Sequence, residues 1–455
     1  MAKRVVVLGG GISGYGSAIL AKREGFDVFL SDAGKISELY RQRLEQWGVE
    51  YEQGGHTMEK ILSATEVIKS PGIPDKAPVV VAIREKGIPV ISEMEFAARY
   101  MGGAKTICIT GSNGKTTTTS LIYKILSDAG FNVALGGNIG ESFAYSVATE
   151  QFDWYVLELS SFQLDGMFDF RANVAVLMNI TPDHLDRYDY CFQNYIDSKM
   201  RITRNQSSRS AFIYSADDEV IAQEIFSGKY PMPMRQLPFA AREAVASGAG
   251  DAFLLGDGEF TARVGEKVVT IDTAKMKIKG LHNAYNAMAA ALATLAAGVE
   301  AEQVERSIYE FSPVEHRLEP AGTAGDIQWI NDSKATNVDS VWYALESMKR
   351  PTVWIAGGTD KGTDYTPIKE FARRKVKALI CMGVDNAKLV RDFQGVVPVI
   401  RDCHTFEEAM KAAKEVATEG DTVLLSPACA SFDLFRNYEE RGRMFKEWVK
   451  ENVLK

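Results

Sequence analysis

At 455 residues the chain exceeds what one hydrophobic core supports, and about three domains are expected. Its 46% hydrophobic and 25% charged content is ordinary for a globular enzyme, and 52 Lys and Arg against 60 Asp and Glu leave a net charge of −8. That balance excludes nucleic-acid binding as the main business, while leaving room for a local basic pocket that holds phosphates.

Five cysteines (Cys108, Cys191, Cys381, Cys403 and Cys429) are scattered without a C-x-x-C, which suits buried thiols in a reducing compartment. The opening "MAKRVVVLGGGISGYGSAILA" sets basic residues before an apolar run, but three consecutive glycines break the apolar helix that a signal peptide needs. No stretch reaches the roughly 18 apolar residues of a membrane helix, so a cytoplasmic protein without membrane insertion is expected.

The first unit alternates strand and helix. "RVVVLG" is a short β-branched strand, Ile12 to Glu24 reads as a helix closed by Gly25, and "DVFLSD" and "EVIKSPGIP" are further strands. Such alternation implies a parallel sheet with crossover helices. Gly9, Gly11 and Gly14 form G-x-G-x-x-G, and Asp32 closes the next strand about 20 positions on, which is the fingerprint of a dinucleotide site.

A second unit begins near Lys105 with the strand "TICIT". "TGSNGKTTTT", Thr110 to Thr119, then places a glycine-containing loop, a lysine and hydroxyls at the start of a helix. Backbone amides there can cradle phosphates, Lys115 can reach the β- and γ-phosphates, and the Thr116 hydroxyl can ligate Mg²⁺. The match to G-x-x-x-x-G-K-[ST] is imperfect, because Ile109 stands where the first glycine belongs. A polar, Thr-capped helix start is the plainer alternative. Leu121, Ile122, Ile125 and Leu126 share one helical face, and Gly130 is a plausible helix stop.

"WYVLEL" and "NVAVLMNI" are strands of the buried type, ending near Glu158 and His184, which become Mg²⁺ contacts if both face the phosphate loop. Lys199 lies in a basic stretch with Arg201 and Arg204, and spacing alone favours a solvated face. Residues 251–279 alternate around Asp257-Gly258, a hairpin signal, and predict a small antiparallel sheet. "LHNAYNAMAAALATLAAG" is an alanine-rich helix.

A third unit starts near Ser312, with strands "IQWIND", "TVWIAGG", "ALICMG" and "TVLLSPA". "NDSKATN" precedes a helix whose buried face is Val338, Val341, Trp342 and Leu345. Asp332, Lys334 and Thr336 make a better anion-binding cluster than a cap requires. "GGTDKGTDY" and "SPACASFDLFRNYEERG" repeat the same strand-end design. The fold class is therefore α/β in three domains: an N-terminal Rossmann-like domain (1–94), a central P-loop ATPase domain with the small antiparallel sheet (95–312), and a C-terminal Rossmann-like domain (313–455).

In family order, "TGSNGKTT", "LELSSFQL", "TPDHLDRY", "HNAYNA", "EHRLE", "NDSKATN" and "SPACASFD" resemble the Mur ligase family, the ATP-dependent amino-acid ligases of peptidoglycan synthesis. "NDSKATN" with "SPACASFD" is similar to the branch that adds D-glutamate to UDP-N-acetylmuramoyl-L-alanine. The resemblance implies an acyl phosphate formed from ATP, attacked by the amine of D-glutamate through a tetrahedral intermediate. It implies that Gly111, Ser112, Asn113, Gly114, Lys115, Thr116 and Thr117 hold ATP, with Asn283 and Asn286 at its adenine end and Arg317 and Asp332 reaching it from the third domain. Two Mg²⁺ ions are implied, on Thr116, Glu158, His184 and a carbamylated Lys199, the modification using CO₂.

For the UDP substrate the resemblance implies the opening loop (Gly11, Ile12, Ser13), Asp32 and Lys35 at the uridine end, the Ser70-Pro71-Gly72 turn, and Asn138 of "GGNIG". "SDAGK" departs from the Asp-Thr-Arg more typical of the family at that end. For D-glutamate it implies Lys334, Thr336, Lys361, Ser431, Phe432 and Tyr438. The opening glycine loop would then receive the diphosphate of UDP, since a helix N-terminus serves either diphosphate. A monomer is expected. Two alternatives stay open: a related Mur-type or folylpolyglutamate-type ligase, and an NAD(P)-binding dehydrogenase that uses the first domain.

Overall fold

The computed structural model describes residues 3–241, 250–255, 258–312, 315–336, 338–360, 363 and 365–454. Three sheets organise the chain. The first has five parallel strands in the spatial order Glu50–Gln53, Asp27–Asp32, Arg4–Leu8, Glu66–Lys69, Val90–Ile91. The central strands are buried apolar runs, as a sheet covered on both faces requires. The edge strand "EYEQ" carries no apolar alternation, and only its pairing with Phe29–Asp32 makes it a strand. Strand order reverses beside Arg4–Leu8, which puts the glycine loop at a topological switch point, where open α/β sheets bind ligands.

The second sheet has nine strands. Lys105–Thr110 lies inside it, flanked in parallel by Trp154–Glu158 and Val174–Leu177. The helix Lys115–Asp128 turns the expected apolar face inward, with Leu121, Ile122, Ile125 and Leu126 fully buried. The strands Gly250–Leu255, Glu259–Val264 and Lys267–Asp272 are antiparallel to one another, as expected. They do not form a separate sheet, however. Phe239 and Ala240 pair in parallel with Ala252 and Phe253, so the hairpins extend the central sheet. Asp257 of the expected hairpin turn lies outside the described residues.

The third sheet has six strands, parallel except for the edge strand Glu319–Ala324, which pairs antiparallel with Ile327–Asn331. Val341 and Leu345 of helix Val338–Ser347 are buried against this sheet's core, as read from their spacing. The first two sheets belong to one compact unit (1–276 with 283–311) and the third to a second unit (277–282 with 312–455). Among the described residues no helix is long and apolar enough to cross a membrane. Four cysteines are buried, but Cys191 is exposed, because it precedes helix Phe192–Met200 on an open turn.

Candidate active site

In the first sheet the chain leaves Leu8 through Gly9, at φ 92°, and enters the helix Ile12–Arg23. A Cβ on Gly14 would collide with the Gly9 carbonyl, so the loop can close this tightly only with glycine there. No side chain caps the helix start, leaving its first amides directed at the mouth of the loop. Asp32 fastens that mouth: Oδ2 accepts the Gly10 amide at 2.5 Å and Oδ1 accepts the Gly34 amide at 2.7 Å. Ile12 and Lys35 are exposed beside it. The Ser70 hydroxyl is shut off from solvent, faces Gly9 and has no hydrogen-bond partner among the described residues, an orphan that suits a bound oxyanion. Pro71 and Gly72 continue the turn, and Arg187 donates to the Pro71 carbonyl at 3.3 Å.

Sequence reasoning missed Glu93. It is 2% exposed and its Oε1 accepts the Ser142 hydroxyl and the Ala144 amide, the latter at 3.0 Å; the Ser13 hydroxyl lies close enough to draw its pKa down, and Oε2 has no hydrogen-bond partner among the described residues. Burial pushes its carboxyl up to about 7, against the pull of those donors. Glu93 thereby ties the glycine-loop helix to the segment after "GGNIG". The only trace in the sequence is an acid in the first turn of a short helix, which ordinarily reads as capping.

In the second sheet, strand Lys105–Thr110 delivers the phosphate loop to the start of helix Lys115–Asp128. Gly111 and Gly114 have φ of 150° and 82°, and a Cβ on Gly114 would stand 2.5 Å from Asn286 Oδ1. Asn286 also accepts the Thr118 hydroxyl at 3.2 Å and donates to Asn283 Oδ1 at 3.0 Å, so both asparagines lie against the loop's helix. The segment after the neighbouring strand straps the loop. Asn179 Oδ1 accepts the Asn113 amide at 2.8 Å, and the Ser112 hydroxyl donates to the Thr181 carbonyl at 2.8 Å. Asn179 and Tyr195, whose hydroxyl is 3.1 Å from Ser112 Oγ, were not legible as site residues.

Lys115 Nζ donates to the carbonyls of Gly111 (2.7 Å) and Ser112 (2.9 Å). Lys199 Nζ donates to the same Gly111 carbonyl at 2.8 Å. Lys199 is 2% exposed, which corrects the solvated face expected from its spacing: helix Phe192–Met200 turns it into the loop, with Nζ 4.6 Å from the Tyr195 ring centre. Burial, aided by the Lys115 charge, holds its amine well below the usual lysine range.

Glu158 ends the adjacent strand and is 1% exposed. Its Oε1 accepts Asn138 Nδ2 at 2.9 Å, while Oε2 is buried with no hydrogen-bond partner among the described residues. A buried carboxylate oxygen without a donor is costly unless a cation completes it, so Glu158 fits a metal contact. Thr116 is buried in the first helical turn nearby. Among the described residues no three His, Cys, Asp or Glu groups could hold a metal ion together. His184 sits three residues beyond Thr181 at φ 52°, its ring 5.2 Å from that of Phe162 and its side chain 42% exposed.

In the second unit, three strand-end loops meet. Asp332 is buried, and Oδ2 accepts the Ser426 hydroxyl at 2.7 Å while Oδ1 accepts the Leu318 amide at 3.2 Å. Burial raises its carboxyl to about 7, opposed by the Ser426 hydrogen bond and by nearby Arg317, whose Nε has no hydrogen-bond partner among the described residues. Arg441, also missed, is fully buried: Nε donates to Ser333 Oγ (3.0 Å) and Nη2 to the Ser333 carbonyl (2.9 Å), with both Nη atoms 3.5 Å from the Cys429 carbonyl. It clamps "NDSKATN" to "SPACASFD". Thr359 donates its amide to the Ala430 carbonyl at 2.9 Å, which brings in the third loop. Lys334 Nζ lies 5.4 Å from the Tyr438 ring centre, Ser431 is buried, and Thr336 and Phe432 are exposed. Lys361 lies outside the described residues.

Two glycine loops at strand ends, one with lysine and a buried acid, define a nucleotide-dependent enzyme, and the comparisons give its class. Family models match residues 3–92 (Mur ligase MurD-like, N-terminal domain), 109–294 (Mur ligase middle domain) and 316–429 (Mur ligase, glutamate ligase domain). The chain belongs to the Mur ligase family of ATP-dependent ligases. The UDP-N-acetylmuramoylalanine--D-glutamate ligase of Bacteroides fragilis is 51% identical over 451 residues, covering 99% of this chain and 100% of that protein. The enzyme of the same name from Bacteroides thetaiotaomicron is 50% identical with the same coverage. Among solved structures, a pseudomurein peptide ligase type C from Methanothermus fervidus aligns over 98% of this chain and 100% of its own, with a TM-score of 0.61 and 21% identity, a likeness of fold.

Proposed function

We propose that this ligase joins the carboxylate of UDP-N-acetylmuramoyl-L-alanine to the amine of D-glutamate, using ATP, in cytoplasmic peptidoglycan precursor synthesis. It acts as a monomer of three domains (1–94, 95–312 and 313–455). A carboxylate oxygen of the substrate attacks the γ-phosphorus of ATP and ADP leaves. The deprotonated amine of D-glutamate then attacks the acyl carbon, and the tetrahedral adduct collapses to an amide and inorganic phosphate. Catalysis is positioning plus charge neutralisation, because a carboxylate and a triphosphate repel.

The amides of Gly111 to Thr117 cradle the phosphates, and Lys115 offsets their charge. Thr116 and Glu158 would hold Mg²⁺, and His184 and a carbamylated Lys199 would hold a second ion. When bound, these ions supply positive charge between the triphosphate and the substrate carboxylate. Lys199 suits this modification: burial lowers its pKa and so favours the unprotonated amine, which adds to CO₂, releasing a proton and leaving a carbamate anion. Asn283 and Asn286 serve the nucleotide, with Arg317 and Asp332 from the third domain. The UDP diphosphate lies on Gly11, Ile12 and Ser13, with Asp32, Lys35, Ser70, Pro71, Gly72 and Asn138 around the substrate. Lys334, Thr336, Lys361, Ser431, Phe432 and Tyr438 take D-glutamate, whose carboxylates need ammonium or hydroxyl partners.

The observation that carries this reading is the buried, unpartnered Glu158 oxygen on the strand next to the one that delivers the phosphate loop. Phosphate release from ATP with UDP-N-acetylmuramoyl-L-alanine tests it, comparing D-glutamate with L-glutamate, L-lysine and meso-diaminopimelate. Release that requires D-glutamate is expected. Release with another amino acid would keep the mechanism and overturn the amino-acid assignment, and no release with any would overturn both.

A further inference from the structure

A cleft of about 380 Å³ lies between the end of strand Glu66–Lys69 and helix Ser161–Asp165, and it belongs to neither glycine loop. Successive residues of a strand point to opposite faces. Ser70 turns its hydroxyl to Gly9, whereas Lys69, one residue earlier, turns Nζ away to the Ile73 carbonyl at 2.8 Å, into the cleft. Phe162, Asp165 and Arg187 also line it.

The charges there do not balance. Lys69 (3.4 Å) and Arg84 (3.1 Å) share a single oxygen, Asp75 Oδ1. Arg187 finds two backbone carbonyls (Pro71 at 3.3 Å, Ile73 at 3.5 Å) and the face of Phe162 at 4.4 Å as its described partners. Lys76 and Asp189 pair with each other at 2.5 Å and cancel. Asp165 accepts the Tyr188 hydroxyl, a neutral donor, at 2.9 Å, and burial holds its carboxyl above the usual range. The lining therefore holds four basic groups (Lys69, Lys76, Arg84 and Arg187) against three carboxyl groups (Asp75, Asp165 and Asp189), one basic group in excess. The side chain of Lys69 is only 12% exposed, so water screens little of its excess. The volume is that of a small-metabolite site.

We propose that this cleft is a second ligand site, separate from the nucleotide and UDP-substrate loops, which binds a small anion bearing a carboxylate or a phosphate across Lys69, Arg84 and Arg187. The ligand would bridge the first and second sheets, and it would touch the segment that runs from His184 to Asp189. Both ends of that segment hold left-handed backbone, at φ 52° and 55°.

The test uses the full chain saturated with a non-hydrolysable ATP analogue, Mg²⁺ and UDP-N-acetylmuramoyl-L-alanine, so that the other phosphate sites are filled. Inorganic phosphate is titrated in one arm and citrate in the other at constant ionic strength, followed by calorimetry and by Tm. A bound anion raises Tm by mass action. Saturable binding of either anion is expected, weakened at least fivefold in Arg84→Gln and abolished in Lys69→Met. Arg84 is half exposed, so Arg84→Gln reports even if Lys69→Met folds poorly. Citrate alone binding would assign a carboxylate ligand, and phosphate alone a phosphate ligand. No saturable binding of either, or equal binding in wild type and Arg84→Gln, would overturn the proposal.

Discussion

Glu93→Gln isolates one buried titration from all the others. The amide keeps the shape and an oxygen that can accept the Ser142 hydroxyl and Ala144 amide, but it cannot ionise. In the wild type the Glu93 carboxyl is raised from 4.5 to about 7 in the folded state. The folded protein therefore binds more protons than the unfolded chain between those values, and stability falls as pH rises through that window. At ~1.4 kcal/mol per pH unit the loss approaches about 3 kcal/mol above pH 7. The stability of Glu93→Gln relative to wild type should therefore grow by up to that amount between pH 4 and pH 8.5. Urea unfolding at a series of pH values measures the difference, and titrations common to both proteins, such as that of Asp332, cancel. A relative stability that is flat with pH, or that falls, would refute the reasoning. A fall would mean that the hydrogen-bond donors around Glu93 outweigh its desolvation.

Lys199→Met should abolish ligation while raising Tm, because it removes a buried amine that gains in return one hydrogen bond, to Gly111, roughly 1 kcal/mol, among the described residues; the folded lysine's lowered pKa makes that gain larger at pH 7 than at pH 11, and a lower Tm at pH 7 would count against it. Gly114→Ala forces φ 82° on a residue with a Cβ 2.5 Å from Asn286, so the KM for ATP should rise at least tenfold with an unchanged KM for D-glutamate, read by steady-state kinetics. Asn138→Ala leaves a second Glu158 oxygen without its side-chain donor, and unfolding should show a cost of about 1–3 kcal/mol that Mg²⁺ with nucleotide partly restores. Arg441→Met should raise the KM for D-glutamate more than the KM for ATP, read by steady-state kinetics, because the clamp holds strand-end loops that carry most of the proposed D-glutamate contacts and only Asp332 of the nucleotide contacts.

What the sequence determined by itself is what neighbouring residues encode. Gly9 to Gly14 and Gly111 to Thr116 announce phosphate loops because a tight turn between strand and helix needs glycine and exposed amides at fixed spacing, whatever surrounds it. The alternation of apolar strands and helices likewise fixed the α/β class and the order of the parallel units. Tertiary structure alone decided burial and long-range pairing. Lys199 reads as a solvated lysine until its helix packs against Gly111, 88 residues away. Glu93 reads as a capping acid until Ser13 and Ser142 close over it, and Arg441 as an ordinary helix residue until Ser333 and Cys429 enclose it. The hairpins after residue 250 join the central sheet through two residue pairs that no local pattern marks. The cost of desolvating a charge, and its relief by a partner, depends on atoms brought together by the whole fold, so the groups whose chemistry is most altered are those that a linear reading describes least well.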